Sequence, residues 1–582
     1  MAWFISFLFL ALATTFCLGV IVENVSDLDN LESDFIVVGG GTGGNVIANR
    51  LSETASSVLV LEAGGSNADV LDIIVPFFCT RATPDTAQDW NYTTVPQVAL
   101  NNRAIAYPRG FVLGGSSSVN YMVYTRGSKE DFDRFANVTG DDGWSWDNLI
   151  PCMRKNERFS PPPANDVGHF NPAVHGFDGI NTVSLAAFPS PVDSRIIATT
   201  TQLEEFPFNK DMNSGYQLGI GWGQATIKNG SATSYLAPQF IGRPNLHVLL
   251  DARVTRVLQS TPGIFQTVEF VQNLNGERFN LTAKKEVILS AGSVGTPNIL
   301  LHSGIGNSTT LTSLGIRPVH NLPSVGQNLS DHALLPLGFL VNSNNTYETA
   351  ERNATLAAEE LVEWNTTRSG PLVDNPLSHM GWLRIPDNAS IFDRFPDPAA
   401  GPNTAHYELI ITNGLLGPPP PTGNFFSVVP AVVSPTARGS VMISSSDPLA
   451  VPLINPNLLD SEVDFFVMRE ALKSALRFVA APAFANYVIS PVGVNIASTD
   501  PQLDDYIREN CASVFHPAGT AAMSPKGATW GVLDPDLRVK GLNRLRVVDL
   551  SVAPFIPAAH TQAATYIIAE RAADLIKAAW NL

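Results

Sequence analysis

Continuous apolar runs of strand length recur along the chain, each followed by glycines or by helical spacing. Asp34-Phe-Ile-Val-Val38 leads into Gly39-Gly40-Gly41-Thr42-Gly43-Gly44, then into a helical stretch from Asn45 carrying Val46, Ile47 and Leu51, then into Val58-Leu-Val-Leu61. Runs that do not alternate with polar residues mark strands buried on both faces, so this stretch predicts a βαβ unit of a parallel sheet. Glu286-Val-Ile-Leu-Ser290 reads as a further buried strand, and Thr296-Pro297 as the start of a capped helix with proline in its first turn. Near the C-terminus Arg546-Val-Val-Asp549 reads as a short buried strand ending in an acid. The stripe Ile568, Ala572, Leu575, Ile576 and Ala579 predicts a closing helix. Proline-rich stretches at 160–163, 385–403 and 418–421 mark long connections, of the kind that often serve as lids.

The first residues differ from the rest. No charge occurs from Ala2 to Val20, and the apolar run ends at the small-residue pattern Cys17-Leu18-Gly19, so residues 1–19 are expected to be a secretory signal. A membrane anchor needs about 20 apolar residues, and Thr14-Thr15 interrupt this run. Eleven Asn-X-Ser/Thr triplets, from Asn24 to Asn388, point to the same compartment: a secreted, extracellular glycoprotein with no membrane association once the signal is removed.

Composition narrows the class. The 582 residues exceed what one hydrophobic core usually serves, and 45% hydrophobic content is ample for burial. A net charge of -17 with only 15% charged residues repels polyanions, which excludes nucleic acid as a partner. Cys17, Cys79, Cys152 and Cys511 show no CxxC spacing and no HExxH run is present, so no metal site is expected.

Chemistry concentrates in four segments. Gly39, Gly41 and Gly44 occupy the G-x-G-x-x-G positions between strand and helix, where they permit a tight turn and the approach of a pyrophosphate. Glu62 ends the second strand about 20 residues further on, where a carboxylate can take the hydroxyls of an adenosine ribose. A secreted enzyme meets little free nicotinamide cofactor, which favours FAD. A second glycine-rich segment, Arg109 to Asn120, and a third, Gly292 to Gly306, place free backbone N–H groups where a planar ring or phosphate could press. His516, before Pro517, and His560, before the closing helix, each sit among small residues.

Residues 39–44 with Glu62, segments 110–133 and 292–306, and the FHPAGT and AAHTQ motifs together resemble the glucose-methanol-choline (GMC) family of FAD-dependent oxidoreductases, from about Asp34 to Ala573. Within it the chain is most similar to fungal aryl-alcohol oxidases, through Asp89-Trp-Asn-Tyr92, Asn120-Tyr-Met-Val123 and Phe515-His-Pro517. The resemblance implies an α/β fold: a Rossmann-like FAD-binding domain assembled from discontinuous segments, under an α+β substrate domain of antiparallel sheet and helices from roughly 160–225 and 335–510. It divides the chain into regions 34–318, 319–429 and 430–573. It assigns Gly39, Gly41, Thr42, Gly43 and Gly44 to the FAD diphosphate, and Glu62 with Ala63 to the ribose. Val254 falls to the adenine, Val112, Gly115 and Asn120 to the flavin, and Asp549, Thr561 and Gln562 to the pyrimidine end of its ring.

By the same resemblance His516 is the catalytic base and His560 its partner, Tyr121 and Phe515 wall the substrate, and Leu416 stands where the subfamily carries a gating aromatic residue. Members that tether flavin covalently have histidine at the position of Asn120, so the FAD is expected to be non-covalent. The implied activity is oxidation of primary aromatic alcohols to aldehydes by a monomer, with oxygen reduced to hydrogen peroxide. The alternatives are a dehydrogenase with a quinone acceptor or a sugar or aliphatic alcohol substrate, and a hydroxynitrile lyase that holds FAD without redox use.

Overall fold

Phe35–Val38 lies near the centre of a six-stranded parallel sheet in the computed structural model, which describes residues 20–28, 32–161, 168–228, 231–232, 235–272, 276–416 and 420–582. Residues 1–19, read as a signal, fall outside the described residues, as do Pro162, Pro163, Pro418 and Pro419. The strand order is Val20–Val22, Leu246–Leu249, Val58–Leu61, Phe35–Val38, Glu286–Leu289 and Leu545–Val547, every neighbouring pair parallel. The four inner strands are buried at every residue, which is why their sequences run apolar without alternation. One sheet is thus drawn from stretches scattered across the whole chain.

Helix Thr42–Ser52 begins three residues before the expected Asn45, since Gly41 takes the N-cap position and the glycines themselves form the first turn. The closing helix Gln562–Trp580 packs along it. Its first nine residues, Gln562 to Glu570, are buried on all sides, while Ala579 at the far end of the predicted stripe is exposed. Arg50 clamps the two helices: its guanidinium meets Glu570 at 2.7 Å, and Tyr235 donates to the same carboxylate.

The helix predicted to start at Thr296-Pro297 starts instead at Gly292 and ends at His302, with Pro297 inside it. A proline there leaves the carbonyl four residues earlier without its helical donor. Here that carbonyl, Ser293 O, is taken by the Thr520 hydroxyl at 2.7 Å, so the helix runs through the proline without an orphaned acceptor.

Above this layer stands an antiparallel eight-stranded sheet. Its main path is Val488–Pro491, Gly338–Val341, Asn424–Val432, Tyr407–Thr412, His379–Leu383 and Gly219–Trp222, with Ala333–Leu334 and Ala512–Ser513 joined at one side. Helix Glu462–Val479 lies across Asn424–Val432 and Tyr407–Thr412 and buries Phe465, Met468, Leu472 and Leu476 in their core. A buried ionic cluster holds the loops beneath. Arg126 pairs with Glu157 at 2.6 Å, and the His175 ring lies between Glu157 at 3.0 Å and Asp211 at 2.8 Å, stacked on Phe159.

Cys79, Cys152 and Cys511 are buried free thiols. Of the glycosylation triplets among the described residues, eight asparagines are exposed, whereas Asn307 caps a helix and Asn328 is half-buried against Arg438. No described helix is long and apolar enough to cross a membrane.

Candidate active site

The turn after Phe35–Val38 opens one end of the site. Gly39 has φ +99°, and a Cβ on it would lie 2.5 Å from the Ser290 carbonyl oxygen, so no other residue fits. Gly41 is different: a Cβ there would find no protein atom nearer than 3.8 Å, and the space it would enter belongs to a cavity of about 750 Å³. The same cavity is lined by Thr42, Gly43, Glu62, Ala63, Gly115, Asn120, Val254, Asp549, Thr561 and Gln562, and further out by Tyr121, Phe515, Leu416, His516 and His560. Two predicted contacts do not reach it. Gly44 packs its bare Cα against the Gly39 carbonyl, which seats the helix on the strand, and Val112 is turned into a cluster with Ala82 and Val119 behind the wall.

Glu62 is fully enclosed. Its two oxygens accept N–H bonds from Gly40 and Gly64, each at 2.8 Å, and burial pushes its pKa up to about 7, with Asp251 adding to the shift. Each oxygen retains a second lone pair for a ribose hydroxyl. Asp549 ties the third glycine segment to the last: it accepts from Gly292 N–H at 3.0 Å, from the Thr296 hydroxyl at 2.6 Å and from Ser551 N–H at 2.8 Å. Burial raises its pKa against those bonds.

Three more polar atoms are buried without any partner: Ser290 Oγ, Asn298 Oδ1 and Gln562 Oε1, all in residues that line the cavity. Orphaned acceptors and hydroxyls in a native interior call for a polar occupant. With the bare Gly41 and the N-terminus of the closing helix beside them, they fit a diphosphate and an isoalloxazine edge.

At the other end two imidazoles face each other. The rings of His516 and His560 stand edge to face, centroids 5.0 Å apart. His516 is delivered by a strained loop. Phe515 has φ +64°, unusual for an aromatic residue, and is held there from both sides: Arg109 donates to its carbonyl at 2.6 Å and its N–H donates to Ser513 Oγ at 2.6 Å. Asp331 fixes the next residue by accepting the His516 N–H at 2.8 Å, while Tyr107 and Ser513 donate to its other oxygen. His560 donates its backbone N–H to Thr125, and its Nε2 meets Glu408 Oε1 at 2.9 Å.

Burial holds the His516 pKa well below the ordinary imidazole value, and His560, His332 and Arg109 push in the same direction. His332, Asp331, Glu408 and Arg109 were not among the predicted site residues. Three of them left a trace in the sequence, Asp331-His332 as an acid and a ring side by side in a turn-rich stretch and Glu408 as the lone charge in the apolar strand Tyr407–Thr412, while Arg109 opens the second glycine-rich segment.

The family model described as GMC oxidoreductase matches residues 33–334 in its N-terminal part and 435–569 in its C-terminal part. The chain belongs to the GMC oxidoreductases. It is 41% identical to Dehydrogenase eriK of Hericium erinaceus, over 96% of this chain and 97% of that one, and 41% identical to a pyranose dehydrogenase of Agaricus campestris, over 95% and 94%. Among solved structures, a variant of the formate oxidase of Aspergillus oryzae RIB40 superposes with TM-score 0.88 at 29% identity, covering 95% of this chain and 99% of that one. A fungal aryl-alcohol oxidase gives 0.83 at 27%, covering 95% and 100%. As a GMC oxidoreductase this chain is an FAD-dependent enzyme acting on alcohols or sugars, and the glycine turn, Glu62 and the unpartnered polar atoms are where its cofactor fits.

Proposed function

We propose that this GMC oxidoreductase oxidises primary aromatic alcohols to aldehydes, and the lining of the outer cavity carries the reading. Among the described residues, the antiparallel sheet and its loops line the cavity with Leu334, Leu337, Leu377, Ile410, Leu416 and Val429, with no carboxylate, amide or cationic side chain. The three hydroxyls they bring are already committed as donors, Ser427 to Gly414 O at 2.8 Å, Tyr506 to Pro336 O at 2.9 Å and Ser513 to Asp331 Oδ2 at 2.6 Å. A pyranose would bury several hydroxyls against this wall without partners, each costing about 1–3 kcal/mol. An aryl ring beside Tyr121 and Phe515 can lie against the apolar side chains of this wall. The relatives named pyranose dehydrogenases support a sugar as the second reading.

The chain's own residues supply the proton chemistry. His516, kept neutral by burial, takes the hydroxyl proton of the alcohol as the carbinol C–H bond breaks. His560, with Nε2 at 2.9 Å from Glu408 Oε1, stands beside His516 with Nδ1 left for the substrate oxygen. FAD, when bound, supplies the hydride acceptor at this position. Asn120 offers no nucleophilic nitrogen and its side-chain oxygen accepts Met122 N–H at 2.9 Å, which supports a non-covalent flavin that acid precipitation releases. Eight exposed glycosylation triplets support a secreted protein.

Anaerobic mixing with benzylic alcohol should bleach the flavin band with a kcat/KM far above that for D-glucose. Faster reduction by glucose than by any aromatic alcohol would overturn the substrate reading. The likeness to an aryl-alcohol oxidase supports oxygen as acceptor, and the relatives named dehydrogenases support an acceptor other than oxygen, such as a quinone. Peroxide production in air, set against quinone reduction, decides between them.

A further inference from the structure

Leu415 lines the outer cavity just beyond the strand Tyr407–Thr412. Its backbone N–H donates to Glu348 Oε1 at 2.6 Å, and Glu348 is itself fully buried and stands outside the cavity lining. The other oxygen, Oε2, accepts the Thr346 hydroxyl and, at 3.3 Å, the N–H of Phe425 in the returning strand Asn424–Val432. One carboxylate therefore grips the chain as it leaves the sheet and again as it comes back. Its partners among the described residues are N–H and O–H donors and not a cation. A carboxylate shut away from water is costly unless its oxygens are bonded, so these donors are held firmly in place.

The residues next to Leu415 are seated as well. Gly414 O accepts the Ser427 hydroxyl at 2.8 Å, and Asn413 O accepts Tyr347 N–H at 3.1 Å. The Tyr347 ring closes over Gly414, where a Cβ would lie 2.8 Å from it. The Leu415 side chain rests in a notch made by another glycine: a Cβ on Gly338, in the strand Gly338–Val341, would lie 2.6 Å from Leu415 Cδ2. Backbone and side chain of Leu415 thus each have a fixed seat. We propose that Glu348 is a positioning residue that holds Leu415 as a rigid sill of the substrate cavity, and that Leu415 so held limits the size of ring the cavity admits. This rests on the reading of the outer cavity as the wall against which an aromatic alcohol lies.

Four variants of the holoenzyme test this. Glu348→Leu removes both acceptors at similar volume. Glu348→Gln keeps one oxygen for Leu415 N–H and turns its amide to the Thr346 oxygen. Leu415→Ala removes the sill itself, and the fourth variant combines it with Glu348→Leu. Anaerobic flavin reduction is measured with benzyl alcohol and with the bulkier 2-naphthylmethanol. The ratio of kcat/KM for the naphthyl over the benzyl alcohol should rise about tenfold in Glu348→Leu and in Leu415→Ala, with the change in KM rather than in the limiting rate. The double variant should go no further than either single one, and Glu348→Gln should keep most of the wild-type ratio. The readout that needs no substrate is amide hydrogen exchange: Leu415 N–H should be protected in the wild type and in Glu348→Gln, and should lose that protection in Glu348→Leu. A folded, flavin-loaded Glu348→Leu with the wild-type ratio would overturn the proposal, however far its melting temperature falls. Leu415→Ala with the wild-type ratio would do the same whether or not Glu348→Leu folds, as would effects that add in the double variant. A wild-type enzyme reduced by neither alcohol would instead sink the substrate reading, and the exchange of Leu415 N–H would still decide whether Glu348 holds it.

Discussion

His175 and His516 are the same side chain in opposite company. His175 has both ring nitrogens against carboxylates, Glu157 at 3.0 Å and Asp211 at 2.8 Å, with Arg126 closing the cluster. Burial works against a charge on its ring, yet the two carboxylates outweigh it and raise its pKa. His516 has His332 at one nitrogen and the cavity at the other, and burial lowers its pKa with no carboxylate on the ring to oppose it. A ring pinned by anions at both nitrogens is a strut. A ring with one neutral partner and one open nitrogen can exchange a proton with whatever enters the cavity.

The contrast breaks most visibly if the open ring is removed. His516→Ala should slow flavin reduction by benzylic alcohol on the order of 10³-fold, within the range general-base catalysis supplies. Its melting temperature should move little. Rapid-mixing absorbance and a thermal melt on the same preparation check both halves. An alanine variant that melts early and still reduces quickly would reverse the assignment of the two histidines.

His175→Leu should do the converse. It strands the Glu157 and Asp211 carboxylates in a buried site, a class of change that costs about 3–5 kcal/mol. Arg126 remains to Glu157, and Asn171 and Asn213 still donate to Asp211, so the lower end of that range is expected. Denaturant unfolding measures it, and the reduction rate per folded molecule should stay at the wild-type value. A stable but slow variant would show that this cluster reaches the chemistry.

How much of this contrast the sequence disclosed depends on how local the cause is. The buried strands 35–38 and 58–61, the glycine turn and the two cavity histidines were legible because each depends on neighbours in the chain. The early start of the helix at Thr42 and at Gly292 was hidden, since it rests on Gly41 as a cap and on Thr520, more than two hundred residues away, satisfying Ser293. The partners that set each ring's character are equally remote. His332 meets His516 across 184 positions and Glu408 meets His560 across 152, so no spacing rule could pair them. Val112 was placed at the flavin by resemblance and Gly44 at the diphosphate by motif and resemblance, and the packing of their neighbours puts them behind the wall.

The smallest expected effect is the most discriminating, because it turns on sign. The stability His175 adds is full below about pH 6.5, the value in an unfolded chain, and is lost as pH rises through its raised folded-state pKa. Asp211, lowered in the fold because His175 outweighs burial, adds stability that persists above the unfolded aspartate value and is lost only as pH falls through its folded one. His332 runs the other way. Burial brings its pKa down to about 3, so between there and about pH 6.5 the unfolded chain binds a proton that the folded ring refuses, and acid takes stability away. Melting curves from pH 5 to 8 for the wild type, His175→Gln and His332→Asn should therefore diverge in opposite senses. The wild-type advantage over His175→Gln should shrink above pH 6.5, and the wild type should lose ground to His332→Asn below it. Parallel curves for the two variants would mean that the two rings share one protonation behaviour and that the contrast between strut and base is not electrostatic.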